Sequence, residues 1–174
     1  MKLTKTLAAA ASGLALAAAT LAMPAPAFAD DTVATITLTG GSLSVDGPNT
    51  AAGSGSVAPG STMTVNIANT TVVDNRGSLL GWTVTGSSTA FAKGTYSMSN
   101  ALFTWTTGAV ATTNGDLTGV TGAPAAAMGA PFVVATAIVT KGAGTFTYPA
   151  TVTGLVPVNM EVGDYVGTIT QSIL

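Results

Sequence analysis

The sequence predicts an all-β protein, an antiparallel β-sandwich of Ig-like type that follows a cleaved signal peptide. Three observations predict this. Apolar residues alternate with threonine in several segments, helical periodicity is hard to find after residue 30, and glycine and asparagine separate the segments at short intervals. Such alternation is typical of strands with one buried face and one face in water. A closed barrel is the alternative arrangement for strands at this spacing.

The first 29 residues have the pattern of a secretory signal. Lys2 and Lys5 precede a small apolar run over residues 7–22, and residues 27–29 (Ala-Phe-Ala) form a small-x-small cleavage site before Asp30. A transmembrane anchor is the alternative, but the run is shorter than the roughly 20 residues that a spanning helix needs. We therefore expect a secreted protein that has no membrane span once the signal is removed.

Residues 30–174 are numerous enough for one domain with its own core, and we predict a single β-sandwich domain there. The sequence has five basic and seven acidic residues, with no basic cluster, so nucleic acid and anionic membrane surfaces are poor partners. Cysteine is absent. This absence removes disulfides, thiol catalysis and thiolate metal sites.

Three segments alternate clearly enough to predict strands with one apolar face. They are residues 32–38, 63–68 and 147–153, and threonine supplies much of the opposite face in each. Pro149 lies within the third segment and indicates an edge position or a bulge.

Residues 132–139 differ because apolar side chains occupy both faces, which predicts a central strand. The turn 141–144 (Lys-Gly-Ala-Gly) is predicted to join it to the strand that begins at Thr145, as a hairpin. Residues 47–60 and 114–130 are rich in glycine and proline and predict loops, the second with at most one helical turn at 125–128.

Residues that could support catalysis are few. Histidine is absent, and no nucleophile elbow, zinc motif or phosphate loop occurs. The carboxylates lie mostly in predicted turns, where Asp commonly stabilises the backbone; they are Asp46, Asp74, Asp116, Glu161 and Asp164. We therefore expect no enzyme activity and no cofactor.

A calcium site is the remaining chemical alternative. Asn114 and Asp116 have the spacing of alternate ligands, and Glu161 with Asp164 could add oxygens, but the EF-hand pattern is absent. An Asn-Gly turn followed by a loop explains the same residues, and we predict no metal site.

The segment 72–84 (VVDNRGSLLGWTV) is the most informative part of the chain. Asp74 and Arg76 can pair across the bend and bond its backbone, while Gly77 and Gly81 permit tight turns. Trp82 and Val84 then share one face of the next strand. This segment resembles the first signature of WxL-domain proteins, bacterial surface proteins that attach non-covalently to the Gram-positive cell wall. Valine stands at Val84 where the family has leucine.

The C-terminal residues resemble the second signature of that family. Tyr165, Ile169 and Thr170 match it, but Gln171 stands where the family has tryptophan and Ile173 where it has leucine. Gln171 has the parity of the apolar residues, so its amide needs polar partners or water. The substitution also removes an aromatic face that could stack on a sugar.

The resemblance implies a non-enzymatic protein that binds cell-wall polymer, namely peptidoglycan. The candidate binding residues are Trp82, Trp105, Tyr165 and Gln171. For Trp82 and Trp105 the alternative is a place in the core. A structural subunit of a surface layer, fibre or coat, which self-associates or binds other surface proteins through sheet edges, is the second functional hypothesis.

Overall fold

The structure is a computed structural model that describes residues 34–51, 53 and 55–174. The predicted signal peptide, its cleavage site and the first residues of the proposed mature chain lie outside the described part. The chain divides into two compact units, one that ends at Ile36 and one that spans Thr37–Leu174. Within the described residues, no helix is long and apolar enough to cross a membrane.

Strands account for nearly all the regular structure of Thr37–Leu174. We number them in chain order and group them by sheet. The first sheet contains β1 (Leu43–Asp46), β2 (Thr62–Asp74), β6 (Phe103–Thr107), β7 (Ala111–Gly115), β9 (Ala126–Ala127) and β11 (Gly144–Leu155). The second sheet contains β3 (Trp82–Ser88), β8 (Val120–Gly122), β10 (Phe132–Ala137) and β12 (Ile169–Ile173). A hairpin of β4 (Phe91–Lys93) and β5 (Tyr96–Met98) precedes a 3₁₀ turn at Asn100–Leu102.

Every strand pair in these sheets is antiparallel. The first sheet has the order β1-β2-β11-β6-β9, and β7 pairs with the part of β11 that β6 leaves free. The second sheet has the order β12-β3-β10-β8. The predicted all-β, antiparallel fold is therefore confirmed.

The two sheets contact each other through their inner faces. The rings of Trp82 and Phe146, from opposite sheets, have centroids 5.9 Å apart, and those of Trp105 and Phe132 are 5.6 Å apart. The Thr107 hydroxyl of the first sheet also donates a hydrogen bond to the carbonyl of Val134 in the second, at 2.8 Å. The core thus lies between the sheets, as in a β-sandwich.

The strand predictions for residues 63–68 and 147–153 are confirmed by β2 and β11. In β2, Val65 and Ile67 are buried, while Asn66 and Ala68 are exposed. β11 is a central strand, and its register shifts between Tyr148 and Ala150. Of the two alternatives for Pro149, the bulge is therefore the one that the structure contains, because a proline cannot donate to a central ladder.

The predicted hairpin around residues 141–144 is wrong. β10 pairs with β3 and β8, whereas β11 pairs with β2, β6 and β7, so the turn carries the chain from one sheet to the other. β10 also ends at Ala137, and Ile138 and Val139 are 58% and 64% exposed. Alternation within a strand predicts which face is buried but not which strand lies beside it, which explains the error.

Two further predictions need correction. The loop over 114–130 contains the short strands β8 and β9, and the expected helical turn at 125–128 is instead β9, paired with β6. Of the strand predicted at 32–38, the described residues 34–38 belong to no strand, and Ile36 and Leu38 are 83% and 90% exposed. In the loop predicted over 47–60, the described residues form no strand, apart from one isolated bridge between Gly53 and Val65.

Candidate functional site

The bend between β2 and β3 is held by a partly buried ion pair, as its sequence predicts. The Asp74 carboxylate accepts hydrogen bonds from the Arg76 backbone N–H at 3.1 Å, from its Nε at 3.0 Å and from its Nη2 at 2.8 Å. Arg76 Nη2 also donates to the carbonyl of Gly81 at 2.6 Å. The pair therefore joins both ends of the bend, and we call residues 74–81 the stapled bend.

Both glycines of the stapled bend adopt the left-handed backbone that their sequence positions predict. Gly77 has a φ of 68° and Gly81 a φ of 70°. At Gly81 a side chain is disfavoured by the positive φ, and it is also excluded by space, since a Cβ would collide with the carbonyl oxygen of Ala137. Only glycine allows the chain to pass this point without strain or collision.

The electrostatics of the stapled bend favour the ionised carboxylate. Asp74 is only 2% exposed. Hydrogen bonding from the Arg76 side chain lowers the pKa of Asp74 below its ordinary value, and this effect exceeds the opposing cost of burial. The pair is therefore charged at neutral pH, and it connects the two ends of the bend.

Trp82 and Val84 lie in the core, directly after the bend. Trp82 is 3% exposed and Val84 is fully buried. The indole N–H of Trp82 donates to the carbonyl of Gly142 at 2.9 Å, which satisfies the one polar atom of the ring. The candidate role of Trp82 as a binding platform is therefore incompatible with this fold, because its ring has no free face.

The structure brings the two signature segments side by side. β12 pairs with β3, so that Gln171 lies opposite Gly86 and Ile173 lies opposite Val84. Ile169 and Gln171 face inward and are partly buried, while Thr170 is exposed. Two segments almost ninety residues apart in the sequence thus form one ladder next to the stapled bend.

Gln171 finds its polar partners between the sheets. Its Oε1 accepts a hydrogen bond from the Tyr148 hydroxyl at 2.8 Å, and its Nε2 donates to Thr70 Oγ1 at 3.1 Å. Tyr148 and Thr70 are fully buried, and burial raises the pKa of the Tyr148 hydroxyl well above its ordinary range. The amide thus links the second sheet to the first as a fully paired polar contact.

The other aromatic candidates are placed differently. Trp105 is fully buried and donates its indole N–H to Thr107 Oγ1 at 2.9 Å, so its predicted alternative as a core residue is the one observed. Tyr165 is partly exposed, and its hydroxyl donates to the carbonyl of Glu161 at 2.9 Å. Tyr165 is therefore the only one of the three predicted aromatic binding residues with a ring partly open to solvent.

An exposed apolar surface beside the stapled bend was not predicted. Leu79 and Leu80 are 58% and 73% exposed at its tip. The neighbouring turn adds Ile138 and Val139, and the Thr140 N–H donates to the carbonyl of Leu79 at 2.6 Å, which joins the two loops. We call Leu79, Leu80, Ile138 and Val139 the loop-tip patch. In the sequence, the signal for this patch is the pair of leucines between Gly77 and Gly81.

Each lysine and arginine side chain of the described residues lies beside a carboxylate. Arg76 pairs with Asp74, Lys93 lies 3.6 Å from Glu161, and Lys141 lies 2.7 Å from Asp116. Asp116 also accepts from the Thr118 N–H, and the Asn114 side-chain oxygen accepts from the Thr145 N–H. The oxygens that sequence spacing suggested for calcium thus hold a turn and a strand end. No group of three potential metal ligands occurs among the described residues.

Comparisons with known proteins give no match to this chain among family models, curated proteins or solved structures. The resemblance to WxL-domain proteins therefore depends on the sequence of the two signature segments alone.

Replacing Gln171 by tryptophan is expected to change stability and leave surface binding unaltered. The amide is partly buried and bonds both Tyr148 and Thr70, so the substitution leaves these two buried hydroxyls without that partner. We expect the free energy of unfolding to fall by about 1–3 kcal/mol, measured by urea denaturation. The matched control is Ser172→Trp, because Ser172 is exposed on the same strand. Equal stability of the two variants would place Gln171 outside the core.

Proposed function

We propose that this chain is a secreted, non-enzymatic surface protein of WxL-like type that associates non-covalently with the Gram-positive cell wall. The observation that carries the proposal is the stapled bend. Asp74 and Arg76, the most specific residues of the resemblance, hold a loop that exposes Leu79 and Leu80. A rigid support for exposed apolar residues is typical of a contact surface.

We infer that the wall ligand is peptidoglycan and that the loop-tip patch contacts it. Each basic residue in the described part lies next to a carboxylate, which leaves little positive charge for anionic wall polymers. The net charge of −2 also disfavours the binding of anionic polymers. The sequence had suggested Trp82 and Trp105 as binding residues, but both are buried. The contact therefore depends on the apolar tip and its polar surroundings, and not on tryptophan stacking.

The experiment is retention of the secreted chain on purified cell walls, with the double variant Leu79→Asp/Leu80→Asp. Both leucines are exposed, so folding should be preserved while the apparent affinity falls roughly tenfold or more. Leu155→Asp is the matched control, because Leu155 is also 58% exposed but lies at the far end of β11.

Two results would contradict the proposal. Equal retention of the variant and the wild type would exclude the loop-tip patch as the contact. Binding to untreated walls but not to walls stripped of protein would exclude peptidoglycan and point to another surface protein.

We also propose that the fold is Ig-like. Support comes from the connections, which repeatedly change sheets: β2 to β3, β10 to β11 and β11 to β12 each cross from one sheet to the other. Connections of this kind are typical of Greek-key sandwiches.

A structural subunit of a surface layer, fibre or coat is the second candidate function. The observation that favours it is the exposed, strand-patterned segment that precedes β1.

A further inference from the structure

Residues 34–39 (ATITLT) have the composition and pattern of a strand but no strand partner among the described residues. Ile36 and Leu38 are 83% and 90% exposed, and they alternate with the threonines at positions 35, 37 and 39. Large apolar residues with regular alternation are normally buried against a sheet. The segment is therefore a strand sequence that lacks its sheet.

The geometry of β1 directs the residues before it away from the rest of β2. β1 is antiparallel to β2, with Leu43 opposite Asp74 and Asp46 opposite Thr71. The last hydrogen bonds of this ladder join Gly41 N–H to the carbonyl of Asn75 at 2.6 Å and Asn75 N–H to the carbonyl of Ser42 at 3.0 Å. Preceding residues thus leave at the end of β2 that carries the stapled bend.

A groove lies along the opposite half of β2. β1 covers only residues 71–74 of β2, and among the described residues the one bridge beyond it joins Gly53 to Val65. Next to this edge, the two sheets separate around a groove of about 450 Å³ that has both polar and apolar walls. Its apolar lining includes Met63, Val65, Ile67, Phe91, Tyr165 and Ile169, and residues 48–51 and 53 of the preceding loop also line it. We call this feature the edge groove, and a second cavity of about 560 Å³ continues it past Met63 and Tyr165.

We propose that residues 34–39 of a second copy of this chain occupy the edge groove as an added strand. An extended six-residue segment covers roughly 20 Å, which is close to the length of β2 from Met63 to Thr70. In that position, Ala34, Ile36 and Leu38 enter the groove while the threonines continue the polar outer face of β2. Strand addition at a free edge supplies backbone hydrogen bonds for affinity and side-chain pockets for specificity.

The occupant is a second copy because the chain before β1 runs away from the groove of its own molecule. At Gly41 it is held beside Asn75, which lies just past the end of β2 and ten residues from Val65. A contact between a donor segment on one surface and a groove on another is heterologous, so it repeats from copy to copy. It builds a ring where the rotation between copies closes and a linear assembly where it does not. When the added strand enters the groove, it replaces the bridge between Gly53 of the loop 47–60 and Val65 of β2.

The test is sedimentation velocity of the secreted chain over a concentration series, in the absence of cell walls. The donor variant Ile36→Asp/Leu38→Asp is expected to weaken self-association roughly a hundredfold, because two apolar side chains no longer enter the groove. Thr35→Asp/Thr37→Asp is the matched control, since it adds the same charges on the face that stays in water. All four residues are exposed, so folding is preserved and can be verified by circular dichroism.

A mixing experiment tests the direction of the contact. The acceptor variant Met63→Glu places a charge in the edge groove. Donor and acceptor variants should each be monomeric alone, yet they should form a one-to-one dimer together, because each retains one intact surface. A peptide of residues 34–39 should also raise the melting temperature of the donor variant, which provides a readout even if the acceptor variant does not fold.

The inference is overturned by a wild-type chain that stays monomeric across the series, by a donor variant that assembles as strongly as the wild type, or by a peptide without effect. Each of these results concerns the chain in solution. Wall association is measured separately, and it neither requires nor excludes this assembly.

Discussion

Replacing Trp82 by alanine is expected to lower the free energy of unfolding by about 3–5 kcal/mol. The side chain is 3% exposed, and its ring packs against Phe146 of the opposite sheet with centroids 5.9 Å apart. Its loss creates a cavity between the sheets and leaves the carbonyl of Gly142 without its donor. Urea denaturation followed by far-ultraviolet circular dichroism measures the effect.

Trp82→Phe is the matched control for this variant. It retains an aromatic ring between the sheets and removes the indole N–H, so it should cost about 1–2 kcal/mol. A loss below 1 kcal/mol for Trp82→Ala, together with abolished retention on cell walls, would contradict the core role and make the ring a ligand platform.

The stapled bend was predictable because its determinants are local. Asp74 and Arg76 are two residues apart, and their pairing follows from reach and charge alone. Gly77 and Gly81 flank the tip, and both adopt the positive φ that turns of this kind require. Period-2 alternation likewise identified β2 and β11, because burial of one face requires apolar residues at every second position of the strand.

Strand pairing was less predictable because it is determined by distant residues. Residues 132–137 and 145–153 were both recognised as strands, and a short glycine-containing turn between them favours a hairpin. The structure instead places them in opposite sheets, where Trp82 donates to Gly142 within that turn. A contact between residues sixty positions apart therefore holds this turn, and no local pattern reports it.

The same distinction applies to the site. The parity of Gln171 indicated an inward direction, but its partners, Thr70 and Tyr148, come from two strands of the other sheet. Sequence reasoning could state that the amide needs partners without naming them. The loop-tip patch was missed for two reasons. Leu79 and Leu80 lie in a bend, where apolar residues give no indication of whether they turn inward or remain exposed. Ile138 and Val139 were assigned to a central strand, which in the structure ends at Ala137.

Removing the Asp74 carboxylate is the second substitution with a large expected effect. Asp74→Ala should lower the free energy of unfolding by about 3 kcal/mol at neutral pH, because it leaves the Arg76 guanidinium partly buried without its counter-ion. It also removes the acceptor that holds Arg76 against the carbonyl of Gly81. Asp116→Ala is the matched control, since Asp116 forms an exposed pair with Lys141 and its loss should have a much smaller effect.

The contribution of Asp74 should also depend on pH, in a direction set by its pKa. Hydrogen bonding from Arg76 keeps the pKa of Asp74 in the folded protein below its value in the unfolded chain, which is about 3.9. The folded state therefore gains stability from the carboxylate above that value and loses it as the pH falls through the lower, folded-state pKa. The stability difference between the wild type and Asp74→Asn should accordingly be largest near pH 7 and shrink below about pH 4. Urea denaturation at a series of pH values measures this difference, and a gap that stays constant down to pH 2 would show that the stapled bend does not depend on the charge of Asp74.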